Sequence, residues 1–207
     1  MWQGQNKEDM IISNYFGDYK GTLLDLGAND GCTFSNSFYL LSNGWKGVLV
    51  DPSPSAYKKL QYLYQENPDV HLMNVAIGNH NTLTTLYDSD SLLNNGDSSL
   101  VSTCVKNETK RWEPLNMKFD EIEVEMWNFK YFIHQSPVKS FDFISIDCEG
   151  LDVDILRQIN LSNVGCKCLC IEHNSVKSAV KEIRSYCNSF GLNKEIGYNA
   201  ENIILAK

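Results

Sequence analysis

Leu24-Asp25-Leu26-Gly27-Ala28-Asn29-Asp30-Gly31 is the stretch on which the fold turns. Leucines flank an aspartate in a β-prone run that starts at Thr22, and the run breaks into a turn with glycines four residues apart. Glycine accepts positive φ and lets the backbone approach another group with no Cβ in the way. A strand feeding such a turn and then a helix opens a βαβ unit, and sheets built from these units bind ligands at their strands' carboxyl ends. The dinucleotide fingerprint asks for glycine at the first, third and sixth turn positions, which here are Gly27, Asn29 and Cys32. A nicotinamide enzyme is disfavoured.

Outward from this turn, strand-like and helix-like signals alternate, which predicts a parallel sheet. A helix is expected from Phe34 to Ser42, stopped by Asn43-Gly44, and a second strand from Gly47 to Val50, ending at Asp51 before Pro52 and Pro54. Ser55 to Glu66 carries Tyr57, Leu60 and Tyr64 at helical spacing, and His71 to Ile77 reads as the third strand. Thr82 to Leu86 suits a short strand, Ser89 to Thr103 a polar loop, Asp120 to Val124 a strand, and Trp127 to His134 a helix or irregular connector. Phe141 to Ile146 is a buried strand, Leu151 to Gln158 a helix, Lys167 to Ile171 a strand and Val176 to Phe190 a long amphipathic helix stopped by Gly191. Lys194–Tyr198 and Asn202–Ala206 form a closing antiparallel hairpin. Residues 1–207 are expected to make one domain, with 1–20 as a lead-in and 88–140 as a loop-rich insert contributing to an acceptor site.

Twenty-six acids against eighteen bases give a formal charge of −8 over 207 residues, which speaks against a phosphate-gripping nucleic-acid binder. Lys106, Lys110 and Arg111 cluster only as a solvated face would. Apolar runs fall far short of the about 20 residues a membrane helix needs, so no membrane insertion is expected. Seven cysteines without a Cys-x-x-Cys pair fit reduced thiols in the cytoplasm. Cys166, Cys168 and Cys170 alternate at period two and should share one strand face as small core residues.

Two constellations carry chemistry. Asp25 beside the turn suits the ammonium of a cofactor with an amino-acid end, and Asp51, twenty residues beyond Gly31, suits both hydroxyls of a ribose. Asp147-Cys148-Glu149-Gly150 closes one apolar strand and Glu172-His173-Asn174 the next. Transfer of a methyl group to a hydroxyl requires placement of the acceptor and removal of its proton, which Asp147, Glu149 and His173 could perform. Alternatively Asp147, Glu172 and Asn174 could hold Mg²⁺ or Mn²⁺ to acidify that hydroxyl. His71, His80 and His134 lack supporting partners.

These blocks together resemble the FkbM-type methyltransferase family, whose members methylate hydroxyls of sugars and polyketides. The resemblance runs through the Leu24–Gly31 block, Ser35-Asn36, Gly44-Trp45-Lys46-Gly47-Val48 leading to Asp51-Pro52, Asn74 to Gly78, Phe141 to Gly150 and Ile171-Glu172-His173. Asp51 stands where the family more often has Glu, and Gln5 to Asp9 matches the family's leading Gln-x-Gly-x-Asp pattern loosely. The resemblance implies a Rossmann-like class I methyltransferase fold: a mostly parallel seven-stranded sheet, a C-terminal antiparallel hairpin and helices on both faces. It implies S-adenosylmethionine bound over Asp25, Gly27, Ala28, Asn29, Gly31, Ser35 and Asp147, with its ribose at Asp51-Pro52, its adenine beside Asn74 to Ile77, Ala76 included, and Ser98-Ser99 covering it. The implied reaction is O-methylation of a sugar, glycan or other small-molecule hydroxyl. A nucleic-acid ribose 2'-hydroxyl, or a scaffold that binds the cofactor without turnover, are the alternatives.

Overall fold

The computed structural model describes residues 2–93 and 97–207, so residues 94–96 of the expected Ser89–Thr103 loop, and residue 1, lie outside the described residues. Helix α1 (Glu8–Phe16) leads into β1 (Thr22–Leu26), α2 (Phe38–Ser42), β2 (Lys46–Val50), α3 (Pro54–Tyr64) and β3 (Val70–Met73). Then come β4 (Ala76–Ile77), β5 (Thr82–Ser89), a 3-10 helix (Lys106–Leu115), β6 (Phe119–Trp127), α4 (Phe129–Gln135) and β7 (Phe143–Ile146). The chain finishes with α5 (Asp152–Leu156), β8 (Cys168–Glu172), α6 (Lys177–Ser189), β9 (Lys194–Tyr198) and β10 (Asn202–Ala206).

Seven strands form one sheet in the order β3-β2-β1-β7-β8-β10-β9. The first five are mutually parallel, and β10 enters antiparallel between β8 and β9. Both faces are covered, as the near-continuous apolar strands require. Leu24, Leu26, Val48, Val50, Ile144, Ile146, Leu169 and Ile171 point to the face packed by Phe129 and Phe132 of α4, Ile155 and Leu156 of α5, and Val180, Ile183 and Cys187 of α6. Their alternates Leu23, Leu49, Phe143, Cys168, Cys170 and Ile204 meet Ile12 of α1, Leu40 and Leu41 of α2, and Leu60 and Tyr64 of α3. Each such side chain, fully buried, stabilises the fold by about 1.5–3 kcal/mol. Trp45 closes the first helix onto this layer, its indole Nε1–H donating to Tyr19 O at 3.1 Å.

Several local features depart from the sequence pattern, each for a visible reason. The helix expected from Phe34 begins only at Phe38, because side chains build a turn in front of it. Asp30 Oδ1 accepts from Cys32 N and Thr33 N, and Ser35 Oγ accepts from Ser37 N and Phe38 N. The strand expected over His71–Ile77 breaks at Asn74, whose Nδ2 donates to Asp51 O and Pro52 O. Ala76 and Ile77 then pair with Met126 and Trp127 of β6, and β5 pairs with β6 over eight residues to complete a second, three-stranded sheet, β4-β6-β5. The 88–140 region therefore holds a strand, a 3-10 helix and α4 as well as loop. The 1–20 lead-in contains α1. Cys166 packs on the face opposite Cys168 and Cys170, because it precedes β8 and does not follow its alternation. Among the described residues no helix is long and apolar enough to cross a membrane.

Candidate active site

A cavity of about 350 Å³ opens where β1, β2, β7 and β8 end, and its walls include Gly27, Ala28, Asn29, Asp51, Asp147 and Glu172. One end is polar. Asp25 sits in the cross-strand row Leu49–Asp25–Ser145–Cys170 on the α1–α3 face. Its Oδ2 accepts from Ser37 Oγ–H at 2.6 Å, and burial pushes its carboxyl up to about 6. Ser35 and Asn36 line the cavity beside it; Asn36 Nδ2 donates to Ser145 Oγ at 3.4 Å while its buried Oδ1 has no partner among the described residues. Glu8 of α1 adds a fully buried carboxylate here, accepting from Asn6 N at 2.7 Å, Asn199 Nδ2 at 2.7 Å and Asn202 Nδ2 at 3.1 Å. Sequence reasoning did not single out Glu8; the loosely matching Gln5–Asp9 block was the one signal of it.

At the end of β2, Asp51 Oδ2 accepts from Asn29 N at 2.8 Å and Oδ1 from Ser53 N at 2.9 Å. Burial nonetheless raises this carboxyl to about 7, with Asp88 and Asp25 adding to the push. Pro52, Val75, Ala76, Ile77, Leu86 and Val101 form an apolar slot next to it. Ser99, at φ 63°, roofs the slot, its hydroxyl 2.8 Å from Ser53 Oγ and 2.9 Å from Ser55 Oγ. Gly31 and Asn74 stand behind the cavity instead of lining it. Gly31 packs on Leu60 and Tyr64, and Asn74 ties down the turn after β2.

Past β7 the groups are acidic and crowded. Asp152 braces the turn by accepting from Cys148 N at 2.7 Å and Gly150 N at 3.0 Å. Arg111 of the 3-10 helix pairs with Glu149, and Thr103 Oγ1–H donates to Glu149 O at 2.7 Å, so the roof is fastened to this turn. Burial raises Glu149 to about 7 against the pull of Arg111, and Asp152 to about 6. Asp147 and Glu172 are also held well above the carboxylate range, first by burial, then Asp147 by Glu149 and Asp152, and Glu172 by Asp147, Glu149 and Asp152, against the pull of Arg111. His173 faces away from this cavity. Its Nδ1 accepts from Ser175 N at 3.0 Å, its ring stacks 5.0 Å from Tyr198, and it lines a second, neighbouring groove together with Asn174. Burial lowers its pKa below the usual histidine value. The carboxylate that joins Asp147 and Glu172 is Asp152, with oxygens of all three within 4.8 Å of one another, while Asn174 lies at the wall shared by both cavities.

These raised carboxyls have a consequence for stability. Between about pH 4 and 7 the folded chain retains protons at Asp25, Asp51, Glu149 and Asp152 that the unfolded chain has released, so stability falls as pH rises through that window. Thermal melts of the ligand-free protein are expected to give a Tm several degrees higher at about pH 5.5 than at about pH 8. A Tm that climbs with pH would contradict this environment for the acids.

Five parallel strands continued by a reversed hairpin, with acids at the ends of β2, β7 and β8 and Asp25 within β1 around one cavity, define a Rossmann-like domain of the class I methyltransferase type. The FkbM methyltransferase domain profile matches residues 25–199, and the chain belongs to that family. Among solved structures it is similar in fold to the methyltransferase FkbM from Methylobacillus flagellatus KT, with a TM-score of 0.58, 11% identity, and coverage of 92% of this chain and 44% of that one. It is similar also to monomeric WbdD, with a TM-score of 0.52, 14% identity, and coverage of 99% and 42%. The chain thus spans less than half the length of either protein. No curated protein matches it in sequence.

Proposed function

We propose that this methyltransferase uses S-adenosylmethionine to methylate a hydroxyl of a sugar, glycan or other small molecule in the cytoplasm. The observation that carries the reading is a single cavity joining three different environments. Its anionic end (Asp25 and Glu8, with the unpartnered Asn36 Oδ1) complements an ammonium. Asp51 keeps lone pairs beyond its two N–H bonds for a pair of ribose hydroxyls, and the Val75–Ile77 slot suits a flat base. Bound there, the cofactor supplies an electrophilic methyl group on a sulfonium.

The rest falls to this chain's own residues. The acceptor enters on the side of Asp147 and Glu149, under the roof carrying Arg111 and Trp112. Glu149, which Arg111 holds in place, would take the proton of the acceptor hydroxyl as the methyl group moves to its oxygen. Neutral acceptors are favoured: the net charge of −8 and the acids around the entrance repel phosphates. A reducing, cytoplasmic setting suits the buried thiols of Cys166, Cys168, Cys170 and Cys187.

Calorimetric titration with S-adenosylhomocysteine tests the cofactor. Binding is expected for the wild type and at least about tenfold weaker for Asp51→Ala, because two charge-assisted hydrogen bonds are lost. NAD should give no heat. Absence of S-adenosylhomocysteine binding, or equal binding by Asp51→Ala, would overturn the assignment. Methyl transfer to a panel of glycosides set against RNA then tests the acceptor class.

A further inference from the structure

We infer that Asp147, Asp152 and Glu172 form a binding site for one hard divalent cation, Mg²⁺ or Mn²⁺, on the acceptor side of the cavity. Three carboxylate oxygens, from the end of β7, the start of α5 and the end of β8, lie within 4.8 Å of one another. Oxygens on opposite sides of one cation are separated by about 4–5 Å, so the triad is at coordination spacing with little rearrangement.

A cluster of acids alone does not make a site, and the second observation is Glu172. It is 5% exposed, it lines both cavities, and its Oε2 has no hydrogen-bond partner among the described residues. A buried carboxylate oxygen left without a partner is costly, and pairing or metal coordination is how such groups are satisfied. Protein cations do not fill this role. Arg111 is bound to Glu149, and Arg157 to Asp154 and Glu182. No described cation forms an ion pair with the three carboxylates, and while Asp152 is met by two backbone N–H groups, Glu172 Oε2 is met by none. An all-carboxylate donor set selects hard, oxygen-seeking ions over soft ones.

The position gives the ion a task. It stands next to Glu149, where an acceptor hydroxyl oxygen could complete the coordination shell and become more acidic before Glu149 takes its proton. That task rests on the methyltransferase reading; the binding itself does not.

The test is titration of the full chain with MnCl₂, read by calorimetry and by the electron paramagnetic resonance signal of free Mn²⁺. One Mn²⁺ per chain is expected, displaceable by Mg²⁺ and raising the Tm. Glu172→Gln should weaken Mn²⁺ binding at least about tenfold while melting, metal-free, no lower than the wild type, since the amide keeps the size of the carboxyl and carries no charge to bury. Asp152→Asn should weaken it also, and Glu182→Gln, on the exposed Arg157 pair, should leave it unchanged. No saturable binding, or binding indifferent to Glu172→Gln, overturns the site. S-adenosylhomocysteine titration of the same samples separates the two readings. Its binding without Mn²⁺ binding removes the cation alone, and the reverse removes the cofactor assignment alone.

Discussion

Gly27→Ala is expected to cost about 4 kcal/mol or more, enough to leave the purified protein largely unfolded or insoluble. Gly27 has φ +87°, and a Cβ at that position would fall 1.7 Å from Asp147 O. Neither partner can retreat. Gly27 N donates to Val50 O at 2.9 Å and Asp147 N donates to Leu26 O at 2.9 Å, so the clash lies between two strands already locked in one ladder. Glycine here serves the meeting of β1 and β7 before it serves any ligand. Gly44 supplies the control: it has φ +89° with no atom within 4 Å of a built Cβ, so Gly44→Ala should cost only the backbone term of about 1–2 kcal/mol. Urea unfolding of both variants decides, and equal losses would sink the explanation.

Glu149→Gln should lower kcat by about 10²- to 10⁴-fold while S-adenosylhomocysteine still binds. The amide keeps the size of the carboxylate and can still face Arg111, but it cannot take a proton. The wild-type rate should rise with pH and flatten above about 7, because Glu149, raised by burial to about 7, must be deprotonated to act. Arg111→Ala should lower kcat too, by releasing the carboxylate from its fixed position. Wild-type turnover by Glu149→Gln, or a rate unchanged between about pH 6 and 8, would remove Glu149 from the reaction.

Much of this was legible from single residues. Thr22–Leu26, Lys194–Tyr198 and Asn202–Ala206 have the bounds that the sequence suggests, because apolar runs and the turn residues that bound them are written locally, β1 and β10 being buried almost throughout. Helix α1 was hidden because its inward face carries Glu8 and Asp9, both fully buried, so its pattern does not look amphipathic. The 3-10 helix is polar apart from Trp112, Pro114 and Leu115, with none of its residues buried, and periodicity has nothing there to report. The strand Phe119–Trp127 reaches three residues past Val124 because β4 and β5 pair with it, a contact between distant segments. In the site, the acids at strand ends stood out by spacing. Asp152 did not, since its place beside Glu172 depends on how two strands lie together, and the orientation of His173 depends on Tyr198 from the hairpin.

The register that sets Leu23–Leu26 against Phe143–Ile146 joins residues about 120 apart in the chain. Strands β2 and β3 gather beside β1, and β8 to β10 beside β7, each through nearer neighbours, so the β1–β7 ladder is the seam at which two halves of the sheet are sewn together. Closing so distant a contact is slow on topological grounds. The cavity straddles that seam, with Asp25 and Asp51 on one side and Asp147 and Glu172 on the other. A molecule held by both sides acts as a clasp: it binds only the sewn state, slows its ripping, and makes the lifetime of the folded enzyme a measure of how well the site is filled.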